Sequence, residues 1–394
     1  MIHNNERNCC ACTACVNICP QNIIRLVENE KGFLVPKVDD EKCIKCGKCV
    51  KVCPYNKKRC INRDTSIDEV LGVKIKKGRM KSQSGGAFYA FAKHFIKQKG
   101  IVYGVELKND IAIYARKDTI EGIKQLRGSK YVQAVMRNAI SQVRDDLLNN
   151  KKVLFSGTSC QIHGMLIYLR ECGVDCTNLY TCDLICHGVC SPRVFDDYLE
   201  YLRKVFPNST DFIFRDKRIA GWSGHVESFV TSQGSIIYSE NYCKIFYENI
   251  VLRDNCYLCQ YANEDRISDI TISDFWGLQN LDIKFSDSFG VSMVIPNTQK
   301  GLELISAIKH KSLIQKYCYK DKQINLRKPT ERNDKYDVFW EEYFKVGFLE
   351  TVMKYCGFDT NDFVKISRIK LYQMFLKRKL KDKLRIFVYL ILKR

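Results

Sequence analysis

At 394 residues, 45% of them apolar, the chain is long enough for one large core or two medium ones. Its 21 cysteines, and an opening MIHNNERNCC without an apolar signal segment, point to a reducing cytoplasm; no apolar run reaches the roughly 18 residues that a spanning helix needs. The formal net charge of +20 attracts acidic surfaces, nucleic acid or anionic lipid, but the chain has no recognisable nucleic-acid module or clustered aromatic platform, so nucleic acid is not an expected partner.

The first element is a cysteine spacing that occurs twice. Cys9-x2-Cys12-x2-Cys15-x3-Cys19-Pro20 is followed by Cys43-x2-Cys46-x2-Cys49-x3-Cys53-Pro54, the run that holds a cubic iron–sulfur cluster. The fourth cysteine of such a run serves the other cluster, so one cube takes Cys9, Cys12, Cys15 and Cys53 and the second takes Cys43, Cys46, Cys49 and Cys19. Zinc ribbons use paired C-x2-C knuckles on a longer spacer, and secreted disulfide scaffolds do not repeat this spacing. Residues 1–58 therefore resemble a bacterial-type dicluster ferredoxin, an α+β ferredoxin-like domain with two [4Fe–4S] clusters that passes single electrons. Cys10 stands outside the spacing and is expected to be a bystander. Lys42, Lys45, Lys48, Lys51, Lys57 and Lys58 form either a docking face for an acidic electron-carrying protein, such as a ferredoxin or flavodoxin, or a solvated face.

Residues 59–75 are polar and read as a linker, and residues 76–320 as a larger α/β domain. The pattern predicts a helix over 88–98, strands over 100–107 and 111–117, a helix over 131–149, a strand over 153–157, a helix over 159–172 and a strand over 179–186. Next come a hairpin over 225–239 turning at Gln233-Gly234 and strands over 269–277 and 290–296. Two strand-to-helix turns are rich in small residues, 82–87 (SQSGGA) and 156–160 (SGTSC). Each is an anion site at a helix start or an ordinary cap, and neither is the GxGxxG of a dinucleotide fold. Among the later cysteines, Cys256-x2-Cys259 together with two of Cys160, Cys182, Cys186 and Cys190 forms either a third four-thiolate site, for an iron–sulfur cube or zinc, or buried core.

In order, SQSGGAFYAFAKHFI, GIVYGVEL, LRGSKYVQ, FSGTSCQIHG, LICHGVCSP, CYLCQYANEDRISDITISDFWG and GVSMVIPNT resemble the beta-subunit family of coenzyme F420 hydrogenase and dehydrogenase. The likeness spans about residues 70–300 and includes forms with a dicluster ferredoxin ahead of the domain. It implies FAD and a third [4Fe–4S] cluster near it. Ser84, Gly85 and Gly86 match the glycine turn at the flavin, and Gly128, Ser129, Lys130 and Tyr131 the segment at the isoalloxazine. Cys160, Cys186, Cys256 and Cys259 match the extra-cluster cysteines, with Cys182 and Cys190 as substitutes for Cys186, and Asp274 in SDFWG matches as well. Lys130 is assigned the catalytic place beside flavin N1 or a surface position before a helix. The expected function is an iron–sulfur flavin-dependent oxidoreductase that joins one-electron transfer to hydride transfer at FAD, with coenzyme F420 or an organic small molecule as the two-electron partner. The alternative is a non-catalytic relay subunit of a larger redox or polysaccharide-biosynthesis complex.

Residues 321–394 read as a helical basic C-terminal extension. Within it KISRIKLYQMFLKRKLKDKLRIFVYLILKR sorts on a helix into an apolar and a basic face. Such a helix lies on an anionic membrane surface, which would make the protein peripheral at the inner membrane face, or it packs its stripe on the flavin domain or a partner subunit.

Overall fold

The computed structural model describes residues 6–56, 69–318 and 323–392. Lys57, Lys58 and the linker up to residue 68 lie outside the described residues. In the N-terminal segment a hairpin of β1 (Ile24–Glu28) and β2 (Leu34–Val38) accompanies two short helices, Ala14–Ile18 and Lys48–Lys51, each started by a cysteine run. The hairpin turns at Gly32, whose φ of 78° lies in the left-handed region.

The larger part is built on one mixed sheet. Its members are β3 (Glu69–Ile75), β4 (Ile101–Lys108), β5 (Ile111–Lys117), β6 (Val153–Thr158), β7 (Leu179–Leu184), β11 (Ile270–Asp274), β12 (Ser292–Pro296) and β13 (Ser312–Cys318). The order is β13-β3-β12-β11-β7-β6-β4-β5. The four central strands, β11, β7, β6 and β4, are parallel, and the flanking pairs are antiparallel. Alternate residues of the central strands feed two cores: Val153 and Phe155 point into one and Leu154 into the other, as do Ile101 and Tyr103 against Val102. That period of two, with both faces buried, is why these strands read as unbroken apolar runs. Helices Ala87–Lys97 and Gln299–Ile308 cover one face; Ala139–Leu148 and Ser159–Glu171 cover the other.

A second sheet, β14-β10-β9-β8, is antiparallel: β8 (Thr210–Ile213), β9 (Glu227–Val230), β10 (Ile236–Ser239) and β14 (Val364–Ile366). The expected hairpin is β9-β10, turning through Gly234 with φ 75°.

Three expectations change. Residues 69–75 end the predicted linker, yet they form β3 between β12 and β13, because Val70, Leu71, Val73 and Ile75 are apolar enough to be buried there. The helix expected over 131–149 forms only at Ala139–Leu148. Residues 131–138 instead spend their backbone groups on tertiary partners, Gln133 N–H to Cys190 carbonyl at 3.1 Å and Val135 N–H to Ala112 carbonyl at 2.8 Å, and Arg137 has φ 48°. Finally, much of 323–366 is not an appendage. Helices Tyr336–Val346 and Phe348–Cys356 bury Phe339, Trp340 and Val352 in the main core, and β14 closes the second sheet.

Candidate functional site

Cys9, Cys12 and Cys15 of the first run lie close to Cys53 of the second. Burial raises the Cys15 thiol well above its ordinary value, and the neighbouring Cys12, Cys9 and Cys53 sulfurs raise it further. Burial likewise pushes Cys53 to about 11, with Cys12 and Cys9 adding. These four therefore face one another. Cys46 is exposed and Cys19, Cys43 and Cys49 are half-buried, so the second group lies toward the surface. The lysines near it, Lys42, Lys45, Lys48 and Lys51, are exposed, and Lys42 pairs with Asp39 at 3.0 Å.

Four later cysteines also converge. Cys160 starts the helix after β6, Cys186 follows β7, and Cys256 and Cys259 sit on and after the short helix Asp254–Tyr257. All four line a small cavity of about 40 Å³. Burial raises Cys186 to about 12 and Cys259 to about 11, and each also feels Cys160. Cys182 and Cys190 do not reach this cavity: Cys182 points into the opposite core, and the Cys190 sulfur bonds to the Ser191 carbonyl at 3.6 Å. Cys10, expected as a bystander, is buried on the cavity wall with its thiol toward the Cys160 carbonyl at 3.8 Å. Among the described residues no three His, Cys, Asp or Glu side chains converge on a point for a single metal ion.

The wall of this cavity carries unpaired donors. Gln133 Nε2, Arg253 Nη1 and Arg266 Nε are buried without a hydrogen-bond partner, and all three residues line it. Arg253 reaches that position because its other nitrogens stitch the N-terminal segment to the body, Nε to the Cys9 carbonyl at 2.5 Å and Nη2 to the Leu34 carbonyl at 2.8 Å. Arg266 is braced by an ion pair with buried Asp183. Four thiols and three orphaned N–H donors fit an anionic iron–sulfur cube, since an unsatisfied buried donor otherwise costs about 1–3 kcal/mol.

A second cavity, about 570 Å³, lies at the C-terminal ends of the central strands. Its size falls within the roughly 300–1,000 Å³ typical of cofactor pockets. Ser84, Gly86, Gly128, Ser129, Lys130 and Tyr131 line it, so two sequence segments more than forty residues apart meet at one site. Gly85 lies just behind: a Cβ there would stand 1.9 Å from the Val73 carbonyl oxygen and 2.4 Å from the Ser292 nitrogen. Ser84 itself holds φ 52°, fixed by its hydroxyl donating to the Val291 carbonyl at 2.6 Å and by the Lys217 ammonium donating to its own carbonyl at 2.7 Å. The turn leads directly into helix Ala87–Lys97, whose first residues face the cavity. Gln83 Nε2 and Asp274 Oδ1 are buried without partners at the wall, one donor and one acceptor. That pairing fits a heterocycle with both kinds of edge, as a flavin has.

Lys130 also lines the cavity, but its ammonium donates to the carbonyls of Arg127 at 3.0 Å and Gly128 at 3.1 Å and so holds its own turn. Burial lowers its pKa to about 7. Several wall residues escaped the sequence reading. Arg215 pairs with Asp274 and reaches the Tyr131 hydroxyl at 3.4 Å. Trp276 stacks on His225 at 5.7 Å, and Tyr131 packs on Phe246 at 4.9 Å. Burial drops His225 to about 4, with Arg215 adding, so its ring is neutral at pH 7. Trp276 sits in the SDFWG segment, a legible signal; Arg215 and His225 carry no local motif.

The two cavities share a wall. Thr158, Gln161, Leu184, Cys186, His187 and Gly188 line both. On the other side Cys10 and Tyr55 bring the N-terminal segment onto the smaller cavity. Gly164 makes that approach possible, because a Cβ there would stand 2.4 Å from the Cys12 sulfur.

Two protein families match the chain. Residues 8–57 match the family model of the 4Fe-4S dicluster domain, and residues 150–322 match that of the C terminus of the beta subunit of coenzyme F420 hydrogenase/dehydrogenase. The two matches lie on separate segments of the chain. The beta-subunit match includes Cys160, Cys186, Cys256, Cys259 and Asp274, whereas the 84–86 and 128–131 segments precede it. A chain in a xenon-derivatised structure of the F420-reducing [NiFe] hydrogenase complex from Methanosarcina barkeri is similar at 14% identity and TM-score 0.45, covering 74% of this chain and 94% of that one. No curated protein matches significantly.

Proposed function

We propose that the chain is an iron–sulfur flavoprotein oxidoreductase, in which electrons pass between the ferredoxin clusters and a hydride-exchanging substrate at FAD. Coenzyme F420 or an organic small molecule is the two-electron partner. One observation carries the reading: the four-cysteine cavity has a thiol group of the ferredoxin segment on one side and shares Cys186 and its neighbours with the large cavity on the other.

FAD, when bound, exchanges an electron pair with a hydride carrier and single electrons with clusters. The chain's own residues supply the rest. Cys160, Cys186, Cys256 and Cys259 hold a third cube, with Arg253, Arg266 and Gln133 donating to it. The first turn of helix Ala87–Lys97 faces the cavity, where its positive end would favour a pyrophosphate, although the Ala87 N–H itself donates to the Ser292 hydroxyl at 3.3 Å. Gly128 and Tyr131 bound the ring site, and Lys130 shapes their turn. Arg215 and Asp274 form a buried ion pair within reach of a ring edge, and Trp276 with His225 closes the wall against water.

The visible spectrum of anaerobically purified chain tests this. Flavin bands above a broad iron–sulfur absorption are expected, and protein that binds no flavin at micromolar FAD would overturn the reading. Dye or F420 reduction by the isolated chain then separates an enzyme from a relay subunit.

A further inference from the structure

The C-terminal helix Arg368–Leu392 is held to the protein the opposite way round from an ordinary surface helix. Polar side chains form much of its inner row. The Arg378 guanidinium donates to the Lys217 carbonyl at 3.2 Å and to those of Arg218 and Ile219, Asp382 accepts from the Ser288 backbone N–H at 3.0 Å and hydroxyl at 2.6 Å, and Arg385 donates to the Ser286 carbonyl at 2.9 Å. Near its start the same row adds Leu371, buried among Ile219, Val226 and Ile366, and Phe375, packed on Phe289 at 5.3 Å.

With that side anchored, the opposite side faces solvent, and it is apolar. Ile369, Leu376, Leu380, Leu384, Phe387 and Ile391 are each at least 45% exposed. Steps of three, four and seven residues put all six on one line. Lys370, Lys377 and Lys381 flank that line on one side and Lys379 and Lys383 on the other, all exposed. The helix carries eight lysines and arginines against one carboxylate, Asp382, which faces inward. A single exposed leucine needs no explanation, but a continuous apolar row does.

We propose that this face docks on an anionic membrane surface, with the helix lying in the plane of the headgroups. The apolar row enters the acyl boundary and the flanking lysines reach lipid phosphates, the arrangement of an interfacial amphipathic helix. Charge selects lipid over a second copy of the chain, because a symmetric contact would press two of these lysine-flanked stripes together in molecules of net charge +20. No described helix is long and apolar enough to cross a membrane, so the contact is peripheral to the bilayer at this helix. The anchoring segments, Lys217–Ile219 and Ser286–Ser288, adjoin the Lys217 ammonium that braces Ser84, so docking sets the large cavity at a fixed side to the membrane.

Vesicle flotation of the full chain tests the proposal, with phosphatidylcholine vesicles containing phosphatidylglycerol beside pure phosphatidylcholine. The chain is expected to float with the anionic vesicles at low salt and less so as salt rises. Leu380→Asp with Leu384→Asp should abolish flotation. Lys377→Gln with Lys381→Gln should weaken partitioning on the order of 25-fold, from roughly fivefold per cation. All four positions are exposed, and unchanged iron–sulfur absorption would report an intact fold. Absence of flotation at low salt overturns the proposal, as does equal binding to neutral vesicles. Self-association that Leu380→Asp disperses, without lipid binding, assigns the face to a second copy and overturns it too.

Discussion

Lys217 places its ammonium between the carbonyl oxygens of Ser84 at 2.7 Å and Phe289 at 2.9 Å, in a site with almost no solvent. Burial, with Arg79 adding, lowers its pKa to about 7 from 10.5. Because the folded value lies below the unfolded one, the unfolded chain holds a proton between those values that the folded chain has released. Stability should therefore rise with pH across that window, with a slope approaching about 1.4 kcal/mol per pH unit, and that gain is lost as pH falls from 10.5 through 7. The neutral amine keeps two N–H donors, so both bonds survive deprotonation. Urea unfolding of wild type and Lys217→Met at a series of pH values from 7 to 9 measures this: the difference between them should grow with pH, and a constant difference would refute the ionisation account. Ser84 and Gly85 depend on the same bracing. Gly85→Ala has no room beside Val73 and Ser292 and should cost about 1–3 kcal/mol or more while loosening any ligand at the turn, read by thermal unfolding and by flavin retention.

Helix Ser159–Glu171 is the element that joins the redox parts. Its second residue is Cys160, one cavity ligand candidate, and three residues later it buries His163 with Gly164 under the Cys12 loop. Gly164→Ala should push Cys12 aside and lower both iron content and electron uptake from an external donor, with little loss of the sheet's own stability. Iron assay with donor-reduction kinetics checks it; unaltered uptake would mean that the loop adjusts freely. A cut made farther out should separate differently. Cys46→Ser, at the exposed group, is expected to remove one ferredoxin cluster and stop exchange with the donor while leaving a bound flavin in place. Loss of flavin in a folded Cys46→Ser protein would show that the ferredoxin segment builds the flavin site.

For the whole molecule, the thiol groups form a sequence from surface to interior. The outer group has Cys46 exposed, Cys15 of the inner group feels Cys49 of the outer one, Cys12 feels Cys160, and Cys186 lines both cavities. Full occupancy predicts about twelve irons per chain in anaerobic protein, three cubes of four. Eight irons with one zinc would remove the third cube from this account and leave the ferredoxin intact.

The sequence alone determined the dicluster segment, because cube ligation demands fixed local spacing that the chain writes in two runs of eleven residues. It also determined the central strands, whose double-sided burial leaves unbroken apolar runs. Tertiary structure decided what local pattern does not encode. The choice among Cys182, Cys186 and Cys190 turned on which side of β7 and its following loop faces Cys256, and Cys10 gained a place at the cavity through docking of a separate segment. The 131–138 stretch is extended because Ala112 and Cys190 offer backbone partners that no neighbouring residue supplies. Arg215 and His225 reach the cavity from the connection between β8 and β9, and the outward turn of the C-terminal apolar row follows from Arg378, Asp382 and Arg385 finding their partners on the body. An amphipathic pattern states that a helix has two faces; only the packing of the rest of the chain states which one is covered.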